Sequence, residues 1–120
     1  MYKRHITGKF GEDLATKYLM QNLYTIIERN FECKSGEIDI IAFDNKKEEL
    51  VFIEVKTRTN SEYGIPADAV NETKKKHMYK TATYYLYKNR KMFDINVRLD
   101  VIEVYISKKS YRINHIKQII

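Results

Sequence analysis

The sequence predicts one α/β domain with a central mixed β-sheet flanked by helices. The order is helix, three strands, helix, strand, with a short extra strand at the C-terminal end. Three observations predict it. Residues 36–44 and 50–58 are apolar, β-branched runs joined by the charged stretch Asn45–Glu49, the pattern of a hairpin. Apolar residues recur at helical spacing in two further stretches, 7–22 and 67–90. An alternating apolar run at 96–106 follows the second of these. A crossover helix permits the strands on either side of it to be parallel, and the short connections before it permit an antiparallel meander. At 120 residues the chain has the length of a single domain, 1–120, with one core.

Each element has a local reason. In the first helix, residues 7–22, Thr7 is a plausible cap and Phe10, Leu14 and Tyr18 form an apolar stripe. A second face carries Gly8, Gly11, Glu12, Ala15 and Leu19. Glycine in a helix costs up to about 1 kcal/mol relative to alanine, so two on one face predict that another backbone comes close there. Residues 24–34 form a strand of mixed pattern, and Ser35-Gly36 turns the chain. Glu28 and Arg29 read as a surface ion pair of little energetic weight. Beyond the hairpin, residues 57–63 are a polar loop leading to Gly64-Ile65-Pro66, where proline can start a helix. The second helix, 67–90, buries Met78, Ala82, Tyr85 and Leu86, and His77 reads as a surface residue. After a polar connector at 89–94, residues 96–106 form the fourth strand. There Arg98 and Asp100 share a face and read as a buried or half-buried pair that fixes one end of the sheet. Residues 107–110 turn, 111–116 form a last short edge strand, and Ile119-Ile120 is an apolar end that can pack or associate.

Composition narrows the function classes. The balance of 43% hydrophobic and 32% charged residues is globular and excludes a disordered chain. The net charge of +6 leans toward an anionic partner, although a merely basic cytosolic protein would carry the same charge. A single cysteine, Cys33, excludes an internal disulfide and a multi-cysteine zinc site, and its alternating context reads as packing. No apolar run approaches the roughly 20 residues of a membrane span. The basic start Met1–His5 has no apolar segment behind it, so no signal peptide is expected and the expected compartment is the cytoplasm.

The hairpin carries the chemistry. Asp39 interrupts its first strand, and Glu54 and Lys56 interrupt its second. Alternation puts Glu54 and Lys56 on one side and Val51, Ile53 and Val55 on the other, and pairing can bring Asp39 beside Glu54. Adjacent carboxylates repel and are costly to desolvate, by several kcal/mol each, unless something compensates. A divalent cation compensates both. Oxygen ligation by Asp39, Glu54 and the Val55 carbonyl suits Mg²⁺, with Mn²⁺ as a substitute. Lys56 is then placed to orient a water or steady a phosphate, the arrangement for metal-assisted phosphodiester hydrolysis. The alternative is a structural ion pair between Lys56 and one carboxylate, which leaves the other unpaired. Glu37 shares the strand face of Asp39 and reads as its wet end, and Asp44 as a turn residue.

Asp39 followed by Glu54-Val55-Lys56 resembles the metal motif of the PD-(D/E)xK nucleases, the superfamily of many restriction enzymes and archaeal Holliday-junction resolvases. Ile38 stands where the motif's name has proline. Over nearly the whole chain, five segments resemble the YraN-like family of small bacterial proteins with the nuclease fold. They are Gly11–Ala15, Glu28–Asn30, Gly36–Ala42, Phe52–Arg58 and Arg98–Val101, in that order. The resemblance implies a restriction endonuclease-like fold and adds Glu12 to the site, as the first-helix glutamate that joins the metal in the resolvases, directly or through water. The competing reading of Glu12 is a solvated residue favoured by the helix dipole. Some nucleases of the superfamily also add a Gln or Lys from the second helix, for which Lys76 and Lys80 are the candidates here.

The expected function is therefore a Mg²⁺-dependent nuclease acting on DNA, structure-selective because its residues read phosphate rather than bases. Arg58, in the loop beyond the catalytic strand, can fork onto phosphate, or can be a solvated arginine. Lys74, Lys75, Lys76 and Lys80 lie in residues 67–91, where seven basic residues face two acidic ones. The interleaved tyrosines can stack on unpaired bases or lie against sugars. A homodimer is possible, since cutting both strands needs two sites. The alternative function is a non-catalytic nucleic-acid-binding or adaptor protein on a nuclease scaffold.

Overall fold

The computed structural model of the protein describes residues 2–59, 71–89 and 94–119, with backbone alone for residues 2–7. Its elements are α1 (Tyr2–Gln21), β1 (Tyr24–Cys33), β2 (Gly36–Asp44), β3 (Glu49–Arg58), α2 (Glu72–Lys88), β4 (Asn96–Ile106) and β5 (Tyr111–Ile116). They build an α/β fold on a five-stranded mixed sheet in the order β1-β2-β3-β4-β5. The three pairs β1/β2, β2/β3 and β4/β5 are antiparallel, and β3/β4, separated by α2, is parallel. This is the αβββαβ order with a short extra strand that the sequence predicts.

The helices cover opposite faces of the sheet. Ala15 and Leu19 of α1 pack with Tyr24, Ile40, Ala42, Val51, Ile53, Ile102 and Val104. Met78, Ala82 and Tyr85 of α2 pack with Ile38, Ile41, Leu50, Phe52 and Leu99. Strand side chains alternate, so Ile40, Ala42, Val51 and Ile53 serve one face and Ile41, Leu50 and Phe52 the other. Ile38 breaks this rule. It lies an even number of residues from Ile40 yet packs on the α2 side, so the alternation slips once between them, at Asp39.

Several boundaries and faces differ from expectation. α1 starts at Tyr2, since nothing between Tyr2 and Thr7 stops a helix, and Thr7 lies in its interior rather than capping it. Its buried stripe is Gly11, Ala15 and Leu19, whereas Phe10 is 50% exposed. Of the glycine face, Gly11 is buried, and a Cβ there would collide with the Thr57 side chain rather than with the backbone expected, while Gly8 is exposed and a Cβ on it would meet nothing within 4 Å. Only one of the two glycines serves a close approach. α2 spans Glu72–Lys88, with Asn71 as N-cap accepting from the Lys74 N–H at 2.9 Å. The expected start at 67 and the Pro66 signal lie outside the described residues. Thr81 joins the buried stripe by donating its hydroxyl back to the His77 carbonyl at 2.8 Å, which makes its burial tolerable. Ile119 packs at the α2 side, and its N–H donates to the Leu99 carbonyl at 2.8 Å.

Arg98 ties together the strand ends nearest the β2–β3 hairpin. Its Nη1 donates to Asp44 Oδ2 at 2.9 Å and to Glu49 Oε1 at 2.8 Å. Its Nε donates to Asp100 Oδ1 at 3.0 Å and its Nη2 to the Tyr24 hydroxyl at 2.6 Å. Asp100 also bonds His115 Nε2 at 2.7 Å and accepts from the Gln118 N–H at 3.0 Å. Burial works against both aspartates. The His115, Arg98 and Gln118 bonds outweigh it at Asp100, and Arg98 with the Lys46 and Lys47 N–H groups outweigh it at Asp44, so both carboxyls titrate below the usual range. The buried pair expected from Arg98 and Asp100 is the centre of this larger network.

Candidate functional site

The site forms at the opposite ends of β2 and β3. Their ladder runs from Asp44↔Glu49 to Ile40↔Ile53. Beyond Ile53 the Val55 N–H is taken by a side chain, Asp39 Oδ2, at 2.7 Å. The slip at Asp39 turns its carboxylate toward β3 and uses it as a ladder acceptor. Burial first, then the charge of Glu54, raise the Asp39 pKa to about 7. The Val55 N–H pulls it down, and Glu12 and Glu37 push it further up. Asp39 therefore stands among three carboxylates, and the sequence pairing of Asp39 with Glu54 is realised.

Glu54 is 7% exposed, on the α2 side of β3. Its Oε2 lies 3.3 Å from Lys74 Nζ, which reaches back from the first turn of α2. Glu12 sits on the first helix beside Gly11, whose contact with Thr57 draws α1 onto β3. Arg29 Nε and Nη2 both donate to Glu12 Oε1, at 3.1 and 2.9 Å, and Nη2 also reaches Asp13 Oδ1 at 2.8 Å. Arg29 thus binds across to α1, where a surface pair with Glu28 was expected. Of the site's carboxylates, Glu12 and Glu54 each hold a basic side chain, while Asp39 holds a backbone N–H. Lys56 is half-buried, and among the described residues no carboxylate lies within ion-pair distance of it. No group of three or more His, Cys, Asp or Glu among the described residues converges closely enough to hold a metal ion by side chains alone.

The candidate nucleic-acid contacts divide. Lys76 and Lys80 are exposed on α2 beside Tyr79, which is 61% exposed. Lys75 pairs with Glu72 at 3.5 Å, and Lys74 is turned inward to Glu54. Lys74 is thus the second-helix lysine at the site, and Lys76 and Lys80 are not. Arg58 is 9% exposed, with Nη2 3.7 Å from Glu103 Oε2, so the fork expected to meet phosphate is turned into the fold. Sequence reasoning missed the Arg29–Glu12 bond and the inward turn of Lys74. The only signals for them were a helical position toward the sheet for Lys74 and an unassigned Arg29-Asn30.

An α/β domain that gathers buried and half-buried carboxylates at the ends of its central strands is thus the class that fold and site define. The chain belongs to the uncharacterised protein family UPF0102, whose model matches residues 11–104. This is the family that the YraN-like segments point to. A UPF0102 protein of Clostridium botulinum is 48% identical over 113 residues, covering 92% of this chain and 89% of that protein. One of Geobacter sulfurreducens is 47% identical over 112 residues, covering 92% and 85%, and one of Clostridioides difficile is 44% identical over 109 residues, covering 91% of each. A solved structure titled "Crystal structure of SSO0001" overlaps 96% of this chain and 52% of its own at 23% identity, with a TM-score of 0.38, too distant a likeness to bear on function. No helix among the described residues is long and apolar enough to cross a membrane, which leaves β-barrels unaddressed.

Proposed function

We propose that the protein is a Mg²⁺-dependent nuclease that hydrolyses DNA phosphodiester bonds, with selectivity for DNA structure rather than sequence. The observation that carries this reading is Asp39, a half-buried carboxylate lifted to about 7 by desolvation and by Glu54, bonded to the Val55 N–H and with no basic side chain within ion-pair distance among the described residues. A fold does not hold such a group for stability, because it costs free energy in its ionised form. A divalent cation would repay that cost.

The donor set supports Mg²⁺ or Mn²⁺ over zinc. It would consist of Asp39, Glu54 and the Val55 carbonyl, all oxygen, the ligand type of a hard cation that keeps part of its water. Glu12, held by Arg29, would act on the site through its charge or through water. When bound, the cation would lower the pKa of a water and offset charge on the phosphate. Lys56, without a carboxylate partner among the described residues, would hold that water or a phosphate oxygen by hydrogen bonding. Lys76 and Lys80 on the outside of α2 would hold the DNA backbone.

The Glu54–Lys74 and Glu12–Arg29 pairs favour a second reading, a nucleic-acid-binding or adaptor protein in which those carboxylates are structural. One experiment separates them. Labelled duplex, single-stranded, flapped and four-way-junction DNAs are incubated with Mg²⁺ or Mn²⁺ and either the wild type or identically purified Asp39→Ala. Cutting by wild type alone supports the nuclease. Salt-sensitive binding without cutting supports the adaptor, and equal cutting by both proteins removes support for the nuclease.

A further inference from the structure

We propose that Lys74 is a two-position cation: its ammonium holds Glu54 while no divalent cation is bound, and moves to Glu37 and Glu32 when one binds. The inference rests on the metal reading above and adds an internal competitor for the same carboxylate. The first position is observed. Lys74 Nζ lies 3.3 Å from Glu54 Oε2; Glu54 is buried while the Lys74 side chain is 34% exposed, so the carboxylate is shielded and the ammonium keeps a solvent side from which it can leave. A divalent cation on Glu54 would meet that ammonium as a like charge at close range, and the two cannot share the carboxylate without repulsion.

The second position is prepared by the sheet. Glu32 of β1 and Glu37 of β2 are cross-strand partners, directly opposite one another. Like charges in that relation are unfavourable, and among the described residues neither has a basic side chain within ion-pair distance. Lys74 lines the same cleft of about 360 Å³ as Glu32, Glu37 and His77. It therefore borders both the carboxylate it holds and the two that lack a cation. The neighbouring lysines do not serve, because Lys75 is on Glu72 and Lys76 is exposed. The helix start need not move: Asn71 caps α2 on the Lys74 N–H at 2.9 Å, so the backbone stays fixed while the flexible side chain swings.

The test is Mn²⁺ titration by isothermal calorimetry, with folding of each variant checked by circular dichroism. The wild type, Lys74→Met and Lys74→Arg are compared, each also with Glu32→Gln/Glu37→Gln and with Asp39→Asn. Lys74→Met is expected to bind Mn²⁺ about tenfold more tightly than wild type, and Lys74→Arg to restore wild-type affinity. The paired Gln substitutions are expected to weaken Mn²⁺ several-fold with Lys74 present and much less with Met in its place, a coupling read as a double-mutant cycle. Unchanged or weaker binding by Lys74→Met overturns the proposal. So does an equal effect of the Gln pair in both backgrounds, which would mean a direct action on the metal. Binding that survives Asp39→Asn, or no binding by wild type and Lys74→Met alike, fails the metal reading and takes this proposal with it. Asp39-dependent binding that Lys74→Met does not tighten overturns this proposal alone.

Discussion

Asp39 accepts a 2.7 Å hydrogen bond from the Val55 N–H, where the regular β2–β3 ladder has ended. One carboxylate thereby continues a strand pair and sits beside Glu54. Its raised pKa, about 7 against an ordinary 3.8, fixes the sign of a pH effect. The folded protein holds the proton more tightly than the unfolded chain, so this stabilising contribution is complete below 3.8 and is lost as pH rises through about 7. In EDTA, wild-type stability should fall between about pH 4 and pH 8. Asp39→Asn keeps an oxygen for the Val55 N–H and should be more stable at pH 8 by about 1–3 kcal/mol. Urea unfolding at pH 5 and pH 8 measures it; a wild type with the same pH dependence as the variant would remove the strain assigned to Asp39. Mg²⁺ should raise the wild-type melting temperature and leave Asp39→Asn unmoved.

At the other end of the sheet the sign is reversed. Asp44 and Asp100 titrate below their ordinary value, so their contribution is present above 3.8 and lost as pH falls through their folded values. Arg98→Met leaves both carboxylates buried without their guanidinium and should cost about 3–5 kcal/mol. Chemical denaturation at pH 7 checks this. A loss below 1 kcal/mol, on the order of a surface pair, would show that the remaining bonds from His115 and the backbone suffice.

The two helical glycines should respond oppositely to alanine. Gly11→Ala puts a Cβ into Thr57 and should destabilise by about 1–3 kcal/mol. Gly8→Ala enters open space and should stabilise by up to about 1 kcal/mol through helix propensity. Thermal melts of the two variants beside wild type decide it, and equal shifts would refute the close approach of α1 to β3.

Arg29 pairs with Glu12, whose charge raises the Asp39 pKa. Arg29→Met should lower stability at pH 8 by about 1 kcal/mol, since the pair is only partly buried. It should also move the Asp39 titration upward, because the Glu12 charge then acts unopposed. Carbon-13 titration of the Asp39 carboxyl reads the second effect. Lower stability with an unmoved midpoint would make Arg29 only a clamp between α1 and β1.

The sequence by itself determined the element order, the hairpin at Asn45–Glu49, the fourth and fifth strands and the pairing of Arg98 with Asp100. All of these follow from local signals: periodicity of two or of 3.6, turn residues, and a charged pair on one strand face. It also singled out Asp39, Glu54 and Lys56, because charges in β-branched runs contradict their surroundings. Tertiary structure decided which charges meet. Alternation read along β2 would put Ile38 and Ile40 on one face, and only the packing of Ile38 on the α2 side and the Asp39–Val55 bond reveal the slip. The bond from Arg29 to Glu12 spans 17 positions and the pair of Lys74 with Glu54 spans two elements, so neither leaves a local pattern. Arg58 looked like a phosphate contact because it ends the strand that carries Glu54 and Lys56, and it is turned inward toward Glu103 on the neighbouring parallel strand. A sequence records which groups must be compensated; the partner that compensates each is chosen by packing, which brings distant positions within a few ångströms.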